Sequence, residues 1–226
     1  MEQLYFKVLI ISILCIISSN AQYHPPIQNF PPDMYKAGNQ NWNISKDDYN
    51  RTYVANNFGL LEFDGLRWTL HPTPDGSIMR SVFVKNNIVY TGAYMDFGYW
   101  LRNENGTLAY TSLADTVGFQ TIEDEQFWNI FSHKQYILFQ SLNRLVIYNQ
   151  QSNTLKSYNS EYGILDAFVN DDEIYFQDNN RTLFKIENEK SLVYLSAAAI
   201  NQNQVVGLTN SSAGQLIVTR ENGLFL

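Results

Sequence analysis

The sequence has little of what most enzymes and metal proteins are built from. It holds one cysteine, Cys15, and three histidines, at His24, His71 and His133. A lone cysteine excludes an internal disulfide, and the scattered histidines offer no metal-ligand spacing. No metal or cofactor is expected. Lys and Arg number 15 against 22 Asp and Glu, a net charge of −7, and no basic cluster offsets it. Nucleic acid is therefore excluded as a partner, because phosphate contacts need a basic surface. Proline is scarce, at 6 residues, while aromatics make up 15%. That balance suits a packed core and not a disordered chain. No Gly-rich loop leads into a helix, and no Gly-x-Ser-x-Gly elbow occurs. No stretch sustains a helical period over three turns. The apolar run over residues 8–17 is too short for a comfortable membrane span.

That run has another reading. Lys7 and the amino terminus precede it, and Ser19-Asn20-Ala21 supplies small residues ahead of Gln22. Residues 1–21 thus match the three-part pattern of a secretory signal peptide. Residues 22–40, with Pro25-Pro26 and Pro31-Pro32, read as an extended lead-in. From residue 41 onward, apolar runs of four to six residues alternate with Asn, Asp, Gly and Ser. Such short strands with regular turn signals predict an all-β fold.

Internal repetition narrows the fold. A first strand starts at Trp42, Met79, Phe127, Ile164 and Val205. A second carries Tyr53-Val54, Val89-Tyr90, Leu138-Phe139, Tyr175-Phe176 and Ile217-Val218. Third strands follow at Leu61, Gly98, Val146, Phe184 and Leu224, and fourth strands at Trp68, Leu108, Leu155 and Leu192. Tyr53 to Tyr90 and Phe139 to Phe176 are each 37 positions, whereas Tyr90 to Phe139 is 49. The longer spacing places an insertion near residues 116–124. A four-strand unit of about 40 residues is the mark of a β-propeller blade. The prediction is four four-stranded blades, at about 41–76, 77–124, 125–160 and 161–200, plus part of a fifth at 201–226. An incomplete ring is expected to belong to a longer protein. In Asn56-Asn57-Phe58-Gly59-Leu60-Leu61-Glu62-Phe63-Asp64-Gly65-Leu66-Arg67-Trp68, Asp64-Gly65 predicts a tight hairpin.

Several strings carry a family resemblance: Asn39–Ser45, residues 56–72, Ser77–Ser81, Tyr94–Trp100 and Glu123–Ile130. From about residue 27 to 226 the chain resembles the propeller sensor domains of two-component and LuxR-type transcriptional regulators of Gram-negative bacteria. The resemblance implies an exported, periplasmic propeller, followed in the parent protein by a three-tyrosine β-sandwich, an inner-membrane helix and a cytoplasmic output. Membrane contact would come through those downstream segments, and the parent could act as a dimer.

Propellers usually bind at the mouth of the central channel. The loops there offer Trp42, Asn57, Arg80, Tyr94, Asp96, Trp128, Asn143, Arg144 and Arg181 as candidate ligand contacts. Amides and guanidinium groups give directional hydrogen bonds, and aromatic faces stack on sugars or peptide side chains. A small ligand, an oligosaccharide or a peptide is the expected partner. Trp42 and Trp128 could equally pack blades together, and Arg80 and Arg144 could equally form structural ion pairs. No catalytic residue is assigned. The alternatives to a sensor are an exported glycan lyase or hydrolase, with Asp64, Asp96 and Glu125 as its carboxylates, and an interaction scaffold.

Overall fold

In the computed structural model the described residues are 27–212, 214–221 and 223–225, with 1, 3 and 5. Most of the expected signal peptide, and residues 22–26 of the lead-in, lie outside them. Residues 1–31 and 32–226 form two units, and the second carries the fold. Among the described residues no helix is long and apolar enough to cross a membrane.

Among the described residues, nineteen strands run in chain order. The first blade is β1 (Asn41–Lys46), β2 (Thr52–Asn56), β3 (Gly59–Phe63) and β4 (Trp68–His71). The second is β5 (Met79–Lys85), β6 (Ile88–Ala93), β7 (Phe97–Arg102) and β8 (Leu108–Ser112). The third is β9 (Phe127–His133), β10 (Tyr136–Ser141), β11 (Arg144–Asn149) and β12 (Thr154–Asn159). The fourth is β13 (Ile164–Asn170), β14 (Glu173–Asp178), β15 (Leu183–Glu187) and β16 (Lys190–Leu195). The fifth has β17 (Val205–Ser211), β18 (Gly214–Thr219) and β19 (Gly223–Phe225). Each sheet is an antiparallel meander in sequence order. Five such sheets in succession make the chain a β-propeller, with four four-stranded blades and a three-stranded fifth.

Local chemistry explains the meander. Asn86-Asn87 and Asn188-Glu189 take positive φ at both positions, the geometry of two-residue hairpin turns. Asp64-Gly65 behaves differently from the tight hairpin predicted for it. Four residues separate β3 from β4, and Asp64 Oδ1 accepts the backbone N–H groups of Leu66 and Arg67 at 2.8 and 2.7 Å. The loop is an Asp-capped turn, with Gly65 at φ +97°. The insertion between the second and third blades holds one helical turn, α2 (Leu113–Val117), capped by Ser112 and by Gly118 in the left-handed conformation. Another short α-turn, α1 (Pro32–Tyr35), precedes the first blade.

Alternating strand residues bury both sheet faces, and the core lies between blades. Tyr53, Leu60, Met79, Val82 and Trp100 fill the first interface. Tyr90, Phe97, Phe127, Phe139 and Val146 fill the second. Leu138, Leu145, Ile164 and Phe176 form the third, and Tyr175, Leu183, Val205 and Ile217 the fourth. Five blades and four interfaces, among the described residues, define an open arc. Polar ties supplement the packing. Glu62, nearly buried at the first interface, meets Arg102 and lies 3.0 Å from His71 Nε2. Burial would raise the Glu62 pKa, but these partners outweigh it and hold the carboxyl below its ordinary value.

Candidate ligand-binding rim

First strands of successive blades lie side by side, β1 with β5, β5 with β9, and β13 with β17. They form the inner wall. Each one carries the same irregularity at its second residue. In β1, Asn41 pairs with Asn56 and Asn43 with Ala55, so Trp42 is extra. The same skip falls at Arg80 in β5, Trp128 in β9, Leu165 in β13 and Val206 in β17. Each is a β-bulge, which leaves one residue outside the ladder and re-aims its side chain. Composition and spacing do not reveal this device. Aligning Trp42 with Met79 is one residue off: Trp42 corresponds to Arg80, and Gln40-x-Trp42 and Gln126-x-Trp128 repeat the local pattern.

The bulges bring together three of the predicted residues from three different blades. The Arg80 guanidinium lies between two indoles, its Cζ 4.2 Å from the Trp42 ring centre and 4.7 Å from that of Trp128. The two indoles meet edge to face at 5.7 Å. Arg80 Nε donates to Gln126 Oε1 at 2.7 Å. Its Nη1 is shut off from solvent and has no acceptor. Burial lowers the Arg80 pKa from its ordinary value, yet a guanidinium stays charged at neutral pH. Of the two roles expected for Arg80, an ion pair is absent among the described residues. Trp42 remains 39% exposed. Its indole N–H donates to Asn57 Oδ1 at 2.8 Å, and Asn57 Nδ2 donates to Gln40 Oε1 at 2.7 Å. Asn57 thus orients the indole.

The remaining candidates divide. Tyr94 and Met95 are exposed on the turn after β6. The Tyr94 hydroxyl donates to Asp124 at 2.5 Å, and Met95 N–H donates to the Glu125 carbonyl at 2.7 Å. Asp96 turns into its own blade, where it accepts from Tyr110 Oη at 2.8 Å and Ser112 Oγ at 2.7 Å. Burial dominates its titration and raises its pKa. Arg144 shows the ion-pair role. Its Nε and Nη2 donate to Glu125 at 2.9 and 2.6 Å, and Glu125 is fully buried. Nη2 also donates to the Gln120 carbonyl at 2.7 Å, and Phe119 covers the guanidinium at 4.4 Å. Asn143 is exposed on the same turn. Arg181 sits in the turn after β14 at φ +67°, its N–H donating to the Asp178 carbonyl at 2.9 Å.

The carboxylates weighed for hydrolysis are all engaged in structure: Asp64 in its turn, Asp96 within its blade, Glu125 with Arg144. Among the described residues no three His, Cys, Asp or Glu side chains gather as a metal site; His24 lies outside them. Asn56, the last residue of β2, is buried. It accepts from Gly38 N–H at 3.0 Å and donates to the carbonyls of Gly38 and Gln40 at 2.7 and 3.0 Å, fastening the lead-in.

No family model matches the chain, and no curated protein matches it. Solved structures do. A streptogramin B lyase superposes with a TM-score of 0.56 at 16% identity, over 84% of this chain and 63% of that one. Virginiamycin B lyase from Staphylococcus aureus gives 0.55 at 13%, over 83% and 70%. The extracellular domain of the putative one-component system BT4673 from B. thetaiotaomicron gives 0.53 at 17%. That match covers 81% of this chain but only 26% of the neighbour. At such identities the likeness shows the propeller fold, shared by enzymes and a sensor-like extracellular domain alike.

Proposed function

We propose that the chain is the ligand-binding propeller of an extracytoplasmic sensor, non-catalytic in itself. In this reading it is exported to the periplasm and belongs to a membrane-anchored transcriptional regulator or two-component system. One observation carries the proposal: the bulges of three blades converge Trp42, Arg80 and Trp128 into one partly exposed cluster at the channel mouth. Aromatic faces beside a charged donor suit a small polar ligand. The engagement of Asp64, Asp96 and Glu125 in structural contacts favours binding over acid–base cleavage. The resemblance to propeller sensor domains and the BT4673 extracellular domain point the same way. Signalling then requires that the ligand favour one of two states of the parent protein.

The test is a calorimetric screen of oligosaccharides and short peptides, with product analysis on the same mixtures. Binding without turnover is expected. The paired change Trp42→Ala and Trp128→Ala should weaken it about tenfold or more, since aromatic stacking contributes on the order of 1 kcal/mol per ring beyond area burial. Product formation would instead establish an enzyme.

A further inference from the structure

Six of the seven arginines of this acidic protein fall into two groups; the seventh, Arg67, lies in the turn between β3 and β4. Arg51, Arg102 and Arg144 are each paired with a carboxylate, Asp47, Glu62 and Glu125 respectively. Arg80, Arg181 and Arg220 make no ion pair among the described residues. All three lie at one end of the blades. Arg80 is at the start of a first strand, and Arg181 and Arg220 are in the turns after β14 and β18. Three acids nearby are perturbed or engaged. Burial raises the pKa of Asp166, beside the Leu165 bulge, against the pull of Arg220. Asp124 accepts from Tyr94, and Glu125 holds Arg144.

The guanidinium of Arg80 adds a geometric argument. Nε is taken by Gln126, so the edge formed by Nη1 and Nη2 is the one without a protein acceptor. A buried donor left without a partner costs free energy, and one on a charged group costs more. Two parallel bonds from that edge match the two oxygens of a carboxylate. Backbone donors at this mouth are already committed. Asn57, Tyr94 and Arg220 N–H groups donate to the carbonyls of Gln40, Ile78 and Gln204. Recognition there falls to side chains.

We propose that the mouth is a carboxylate site, in which a small acidic ligand pairs with the acceptor-free edge of Arg80 between the two indoles. The proposal rests on the binding-module reading above and specifies its chemistry. Trp42, exposed and anchored by one hydrogen bond to Asn57, is the side chain that yields to admit the ligand. Its movement makes binding visible in tryptophan emission.

The experiment titrates the protein with galacturonate and with an N-acetylated dipeptide bearing a free C-terminal carboxylate. The controls are galactose and the dipeptide amide. A saturable emission change is expected with at least one acid, and which acid responds separates a sugar acid from a peptide terminus. Affinity should fall at least about tenfold for the uncharged counterpart and for Arg80→Gln, as the loss of a charge-assisted bond implies. Arg80→Lys should restore part of it, keeping the charge but not the fork. Equal affinity for acid and neutral counterpart overturns the proposal, and so does unchanged acid binding in Arg80→Gln. No saturable change with either acid at millimolar concentration also overturns it. Should Arg80→Gln fail to fold, the acid-against-neutral comparison on the unaltered protein decides the matter. Neutral ligands that bind, and are lost with Trp42→Ala, leave the binding-module reading standing while removing the carboxylate.

Discussion

Arg80 and Arg144 look alike in the sequence, each a charged residue in a loop rich in Asn, Gln and aromatics. Their surroundings separate them. Arg144 closes a bidentate pair on a carboxylate that water cannot reach. Removing one partner of such a pair strands the other charge. Arg144→Ala should therefore destabilise the fold by about 3–5 kcal/mol, read as a lower urea midpoint at unchanged slope. A loss well under about 1 kcal/mol, within the range of a surface pair, would show that Glu125 is solvated instead. The sequence could not choose between roles for Arg144 because its partner sits 19 positions away on an irregular loop. Asp96 was illegible for a similar reason. Its acceptors face Tyr110 and Ser112, and only strand pairing brings those hydroxyls near. Asn57 and Trp42 were both singled out, but their mutual hydrogen bond needed the hairpin to be built first.

Strands and turns were the legible elements. Their signals are local, an alternation of side chains and the turn chemistry of Asn, Asp and Gly. The bulges were not, because one extra residue changes neither composition nor period by a visible amount. Close approaches between elements were equally hidden, and two glycines show how far they differ. In β6, a Cβ on Gly92 would lie 2.6 Å from the Phe127 carbonyl oxygen and 2.5 Å from Ser81 Oγ. Those same two atoms share a 2.7 Å hydrogen bond that ties β5 to β9. In β17, a Cβ on Gly207 would meet nothing nearer than Val218 at 3.8 Å. Gly92→Ala should accordingly cost about 1–3 kcal/mol through overpacking. Gly207→Ala should be neutral or stabilise by up to about 1 kcal/mol, since alanine restricts the unfolded chain. Paired urea titrations test both, and equal effects at the two sites would refute the distinction.

An arc whose buried clusters each join only neighbouring blades behaves as a chain of interfaces, and its stability is set locally. The third blade is packed on both flanks, by the Phe127–Phe139 cluster and by the Leu138–Ile164 cluster. The fifth is packed on one flank only, among the described residues. Native-state hydrogen exchange should therefore be graded. Amides of Leu138 and Phe139 in β10 should exchange slowest and those of β17 and β18 fastest. One common rate for all blades would mean that the arc opens as a single unit. The repeat made this succession readable from spacing alone, whereas the inward-facing residues emerged only with the register. Those residues bear on how such a fold diversifies. A bulged side chain takes no part in the ladder, so its identity is free of the constraints that fix the strand around it. Each blade thus offers one interchangeable letter at the mouth, here Trp, Arg, Trp, Leu and Val. Substitutions confined to those letters would rewrite what the molecule recognises while its architecture is inherited unchanged.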